Sequence, residues 1–90
     1  MKFLWDQAKA ATNYRKHGVG FSEAATVFGD PLAGTFSDPD HFVGELRLIT
    51  VGISYAGRLL VVSHAENRDG IRIISARPAT AHERKKYESQ

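Results

Sequence analysis

The sequence predicts an α+β domain: two N-terminal helices, an antiparallel β-sheet of three to four strands and a C-terminal helix. Three observations carry this. An alanine- and lysine-rich stretch from Gln7 to His17 precedes a helically spaced apolar set from Phe21 to Phe28, apolar and polar residues begin to alternate near residue 47, and a capping box opens the last segment.

The elements follow in order. Phe3-Leu4-Trp5 is a short apolar segment suited to an initial strand or an anchor onto the core. Asp6 has the chemistry of a helix N-cap, and the stretch from Gln7 to His17 ends at Gly18, a residue suited to the left-handed position that closes a helix. Ser22 is the next plausible cap. Phe21, Ala24, Ala25 and Phe28 recur at i, i+3, i+4, i+7 and share one helical face. Gly29-Asp30-Pro31 stops that helix, because proline pushes its predecessor out of the α region. The two helices read as an α-hairpin.

Residues 32–36 suit a short strand, and Ser37 to Gly44 a polar loop. Arg47, Ile49, Val51, Ile53 and Tyr55 then alternate with smaller or more polar neighbours, the period of a strand. Ala56-Gly57 marks a turn. Arg58 to His64 has the unbroken apolar centre of a middle strand, and Asn67-Arg68-Asp69-Gly70 is a second turn. Ile71 to Ala76 is the third strand of a meander, with Ile71 and Ile73 on one face and Arg72 and Ile74 on the other. Pro78 ends it. Thr80 and Glu83 form the capping box of a terminal helix carrying Arg84, Lys85, Lys86 and Tyr87.

Ninety residues make one domain, taken as 1–90, without repeats, low-complexity runs or a linker. A hydrophobic content of 42% with 24% charged residues argues against disorder. The absence of cysteine excludes disulfides, a thiol nucleophile and thiolate metal sites. The longest apolar runs, such as Leu59 to Val62, fall far short of the roughly 18–20 residues of a membrane span. The N-terminus also lacks a signal peptide's apolar stretch. The expectation is a soluble cytoplasmic protein with no membrane partner. Net charge is +2, but the first fifty residues sum to −1 and the remainder to +3, which raises the weight of an anionic partner.

The four histidines, His17, His41, His64 and His82, offer no short-spaced ligand pair, so no metal and no cofactor are expected. Ser63 and His64 are adjacent in a strand and point to opposite faces, which is wrong for a nucleophile–base pair. Arginines on regular elements remain. Arg72 and Arg77 lie five apart, on opposite faces if their strand is regular, while Arg47 begins a strand and Arg58 stands at a turn. Salt bridges to Glu45, Glu66 or Glu83 would explain them singly. Convergence on one face would make a phosphate site, for which a fixed fork of donors is suited. With a proton-transfer group from Glu45, His41 or His17, such a face can cleave RNA without a metal, because the 2′-hydroxyl is a built-in nucleophile. The Lys16-His17-Gly18 run equally fits a helix C-terminus, where cations complement the dipole.

Phe3-Leu-Trp-Asp6, Lys9-Ala, Asn13 and Lys16-His-Gly18 with Phe21 resemble the opening of the BrnT family of bacterial toxins. The likeness continues through Ala24, Val27-Phe, Asp30-Pro and Asp38-x-x-His41-x-x-x-Glu45-x-Arg47. It closes with Gly57-Arg-Leu-Leu-Val-Val62 and Arg72-Ile-Ile-Ser-Ala-Arg77-x-Ala79-x-x-x-Glu83-Arg84-x-x-Tyr87, so it spans residues 3 to about 88. Gln7 departs from it, standing where many relatives have proline at the first helical position. The resemblance implies a RelE-like ribonuclease fold and a toxin of a type II toxin–antitoxin pair that arrests translation by cutting RNA. It also implies neutralisation by a BrnA-like ribbon-helix-helix antitoxin in a 2:2 complex that represses its own operon, with DNA met only through the antitoxin. The basic surface would then serve RNA or the antitoxin's acidic segment. The candidate catalytic set is Arg47, Arg72 and Arg77 on phosphate, Glu45 or His17 for proton transfer and Lys16 as auxiliary cation, with Arg58, Arg84 and Lys85 as RNA contacts. The competing reading is a non-catalytic module acting as corepressor or scaffold for a DNA-binding partner.

Overall fold

The computed structural model describes residues 1–38 and 46–89. A two-residue strand β1 (Phe3–Leu4) leads into helix α1 (Gln7–His17) and helix α2 (Phe21–Thr26), extended by a 3₁₀ turn over Val27–Gly29. Strands β2 (Gly34–Ser37), β3 (Arg47–Ile53), β4 (Leu59–Asn67) and β5 (Gly70–Pro78) follow, and helix α3 (Ala81–Glu88) closes the described chain.

The strand count and pairing depart from expectation. Among the described residues the sheet has five strands in the order β1-β5-β4-β3-β2, and β1 joins it parallel to β5. Periodicity cannot reveal a strand of two residues. It is held by position, with the Ile71 amide donating to the Lys2 carbonyl at 2.8 Å. Gly70 permits this approach, because its φ of 140° and a close Lys2 carbonyl leave no room for a Cβ. The remaining strands form the antiparallel meander the alternation implies.

Asp6 caps α1 by accepting from the Lys9 amide, and Gly18 takes the left-handed conformation at its end with φ 69°. α2 is shorter than its apolar spacing implies and is capped by Gly20 rather than Ser22, with no side-chain bond there. Its packing sets its limits: Phe21 and Ala24 on α2, with Val19 before it and Val27 after it, form the core with Leu60, Val62, Ile73 and Ala76 from the sheet. Trp5 meets Phe21 edge-on, and Phe3 and Phe28 pack at 5.3 Å.

Asn13 completes the sheet where β1 runs out. Its side-chain amide donates to the Ala76 carbonyl at 2.9 Å and to the Val19 carbonyl at 3.0 Å, and accepts from the Ala76 amide at 3.1 Å. A side chain thus does for β5 what a neighbouring strand would do, at the seam between α1 and the sheet.

Candidate active-site surface

Cross-strand register decides which face each arginine occupies. Partners in a pleated sheet share a face, and successive residues alternate. Leu60, Val62 and His64 lie on the sheet face packed by α2 and are fully buried. The opposite face therefore carries three rows across β3, β4 and β5: Arg47–Ala65–Arg72, Ile49–Ser63–Ser75 and Val51–Val61–Arg77. Arg47 and Arg72 stand two strands apart, roughly 10 Å between their backbones.

Arg72 and Arg77 share this face, contrary to the spacing argument. Ser63 pairs with Ser75 but His64 pairs with Ile73, so one extra residue, Ile74, is inserted in β5. The bulge restores Arg77 to the side on which Arg72 stands. The sequence carries its signature, because Ile73-Ile74 breaks the alternation that Ile71 and Ile73 begin.

Arg77, Arg58 and Arg84 each meet a carboxylate. Arg77 forms a bidentate pair with Glu83, both bonds 2.8 Å, and donates to the Pro78 carbonyl. That guanidinium, opposed by burial and assisted by bonds from Thr80, holds the Glu83 carboxyl down at about 2. Arg58 pairs with Glu23 and donates to the Gly18 carbonyl, while the Ser54 hydroxyl donates to the same carboxylate at 2.7 Å. The Arg58 bond outweighs burial and keeps Glu23 below the usual carboxylate range. Arg84 lies 3.7 Å from Glu88 across an exposed helical turn, and Lys85 is exposed. Arg58 and Arg77 thus join elements together, and their geometry is explained by that work.

Lys16 and His17 line a shallow groove of about 320 Å³ between α1 and the upper half of β5, together with Lys9, Thr12 and Ser75. α1 points Lys9, Thr12, Asn13 and Lys16 the same way because they recur at i, i+3, i+4, i+7. Among the described residues no carboxylate lines the groove. Ser75 belongs both to this groove and to the middle row of the arginine face, so the two cationic surfaces adjoin at that residue. Lys9, Thr12 and Ser75 were not legible as site residues, since their convergence depends on how α1 lies along β5. Glu45 and His41 lie outside the described residues.

His64 is no candidate for proton transfer at this surface. It is buried on the helix side, its Nε2 lies 2.7 Å from the Thr50 hydroxyl, and Phe28 packs edge-on against its ring. Burial pushes its pKa down, against the weaker pull of Glu66. Among the described residues no three His, Asp or Glu side chains are grouped to hold a metal ion. No described helix is long and apolar enough to cross a membrane.

These features define a small α+β domain with arginines on one sheet face beside a basic groove. The model of the family described as the ribonuclease toxin, BrnT, of type II toxin–antitoxin systems matches residues 5–83, and the chain belongs to that family. Among solved structures, the chain is similar to the Brucella abortus ribonuclease toxin BrnT at 25% identity and a TM-score of 0.68, over 89% of this chain and 97% of that one. No curated protein matches the chain.

Proposed function

We propose that this protein cuts RNA endonucleolytically, without a metal, on the sheet face that carries Arg47 and Arg72, and thereby inhibits translation. The observation that carries the reading is the row that sets those two arginines on either side of Ala65, one row from Ser75 and the basic groove. Two guanidinium forks across one row suit the non-bridging oxygens of a phosphodiester, and supply in fixed form the positive charge that the transition state needs.

In the step proposed, the 2′-oxygen attacks the adjacent phosphorus as the bond to the 5′-oxygen breaks. The 2′-hydroxyl proton passes to a base and the leaving oxygen takes a proton from an acid, so the products are a 2′,3′-cyclic phosphate and a 5′-hydroxyl. Arg47 and Arg72 stabilise the phosphoryl oxygens. Lys16 adds charge from the groove, and His17 or Glu45 moves the proton. Arg77 contributes from the next row but one, with its fork shared with Glu83.

The family membership supports an antitoxin partner. We take that partner to be a BrnA-like ribbon-helix-helix protein in a 2:2 complex that represses the shared operon, with DNA met through the antitoxin. The cellular setting is the cytoplasm, and residues 1–90 act as one RelE-like domain. Antitoxin-free protein incubated with RNA in EDTA tests the reading. Cleavage is expected, falling about 100-fold or more in Arg72→Ala and in Arg47→Ala at unchanged helicity. Intact RNA across substrates and pH, from antitoxin-free protein that still binds its antitoxin when the two are mixed, would leave a non-catalytic corepressor instead.

A further inference from the structure

The arginine face extends onto β2. Gly34 pairs with Val51 and Phe36 with Ile49, so Phe36 heads the middle row that runs through Ile49 and Ser63 to Ser75. Strand spacing and residue rise set its backbone roughly 8 Å from that of Arg47, one row away. Phe36 is 54% exposed. Beside it a trough of about 240 Å³ lies between the sheet and α3, bordered by Gly34, Phe36 and Val51 on one side and by Glu83, Lys86 and Tyr87 on the other. Arg77 holds the Glu83 carboxylate, and the Tyr87 hydroxyl donates to Asp30, which pins that side chain. Among the described residues Lys86 thus brings the trough's one unpaired charge. Such a lining suits a flat, largely neutral group better than a phosphate or an acidic chain.

We propose that the trough takes an unpaired nucleobase of the RNA, stacked on the Phe36 ring, while a phosphate of the same strand lies between Arg47 and Arg72. The inference rests on the arginine face being the RNA site and adds the contact that holds a base there. Single strands are bound where cations track the backbone and an aromatic ring beside them receives a base. Both parts are present here within two rows of one sheet face. The stack orients the nucleotide, and with it the attacking 2′-oxygen, relative to the two guanidinium groups. Every base has a π-face, so the contact tolerates many sequences and favours those that stack best. The middle row leads from Phe36 to Ser75 at the basic groove, three strand spacings or roughly 14 Å, and marks the path of the strand across the sheet.

The probe is a 2′-O-methyl oligonucleotide, whose binding to the antitoxin-free protein is followed by fluorescence anisotropy. Phe36→Ala is expected to weaken it about tenfold, within the range of one lost base stack, at an unchanged salt slope because no phosphate contact is lost. Phe36→Trp is expected to keep the affinity, and Phe36→Leu, apolar but without a π-face, to lose most of it. The Phe36→Ala loss should also vanish on an oligonucleotide made abasic at the one position that stacks, found by moving the abasic site along the strand. Circular dichroism checks that each variant is folded. Binding that depends on Arg72 but not on Phe36 overturns the stack and leaves the arginine face as the RNA site. A Phe36→Leu variant as tight as the parent does the same, since it reduces the contact to apolar burial. Failure of the folded parent to bind the oligonucleotide refutes both. A Phe36→Ala defect confined to antitoxin binding or to self-association would assign the trough to a protein and overturn the proposal.

Discussion

Asn13 shows how much of this fold can hang on a single side chain. It satisfies both backbone groups of Ala76 and the carbonyl of Val19, all within the seam between α1 and β5. Leaving a buried backbone group without a partner costs about 1–3 kcal/mol. Asn13→Ala is therefore expected to destabilise the protein by about 2–4 kcal/mol, read as a lower urea midpoint at unchanged m-value. A loss within about 0.5 kcal/mol would mean that water reaches Ala76 and that the seam is open. In the sequence Asn13 is only a polar residue inside a helical stretch, and nothing local distinguishes it. Its role depends on contact with a residue sixty-three positions away. Asp6 and Gly18 are legible by contrast, because capping is settled within a turn of the residue itself. Arg58 and Arg77 stand between these cases. The sequence marks both as cations needing partners, but only the packing selects Glu23 for one and Glu83 for the other.

At the scale of elements, the bulge in β5 and the anchoring of α3 decide what the arginine face presents. Both helix pairing and the antiparallel meander follow from apolar period, yet the face of Arg77 does not, since one inserted residue reverses everything beyond it. α3 buries no residue fully and is fixed by polar contacts at two points. Glu83 joins Arg77 while also accepting from the Thr80 amide, and the Tyr87 hydroxyl donates to Asp30. Asp30 also accepts from the Ile53 and Leu32 amides; burial pushes its carboxyl up, but these bonds together hold it below the usual range. The Glu83 carboxyl stands at about 2 in the folded chain against an ordinary 4.5. Its contribution to stability is thus present above pH 4.5 and is lost as pH falls toward 2. Glu83→Gln is expected to cost about 1–2 kcal/mol at neutral pH, because Arg77 loses its charged partner and the capping box loses its carboxylate. The difference between variant and parent should shrink as the pH is lowered through that window, measured by urea titration at each pH. A difference that stays constant down to pH 2.5 would place the stabilising contact elsewhere than on the ionised carboxylate.

The whole molecule has a net charge of only +2, too little to draw RNA over long range, so affinity has to come from local clusters. The sheet face offers Arg47 and Arg72, and the adjoining groove offers Lys9 and Lys16. If a single strand of RNA meets these four cations, the logarithm of its association constant should fall with the logarithm of salt at a slope of about −2.8, since each phosphate neutralised on a single strand contributes about −0.7. A 2′-O-methyl oligonucleotide, which lacks the nucleophile, isolates binding from cleavage and gives this slope by fluorescence anisotropy. Arg72→Ala is expected to lower the slope by about 0.7 and to weaken binding at every salt concentration, without changing which sequences are preferred. Lys9→Gln should shift the slope by the same amount. The reason is that phosphate contacts position a strand and carry no sequence information, whether they come from the sheet or from the helix. Arg58→Ala should leave the slope unchanged, because its guanidinium is committed to Glu23 and the Gly18 carbonyl. A slope that responds to Lys9 but not to Arg72 would move the RNA off the arginine face and into the groove alone. In that case the proton-transfer group would have to be sought beside Lys16 and His17, at the far side of Ser75.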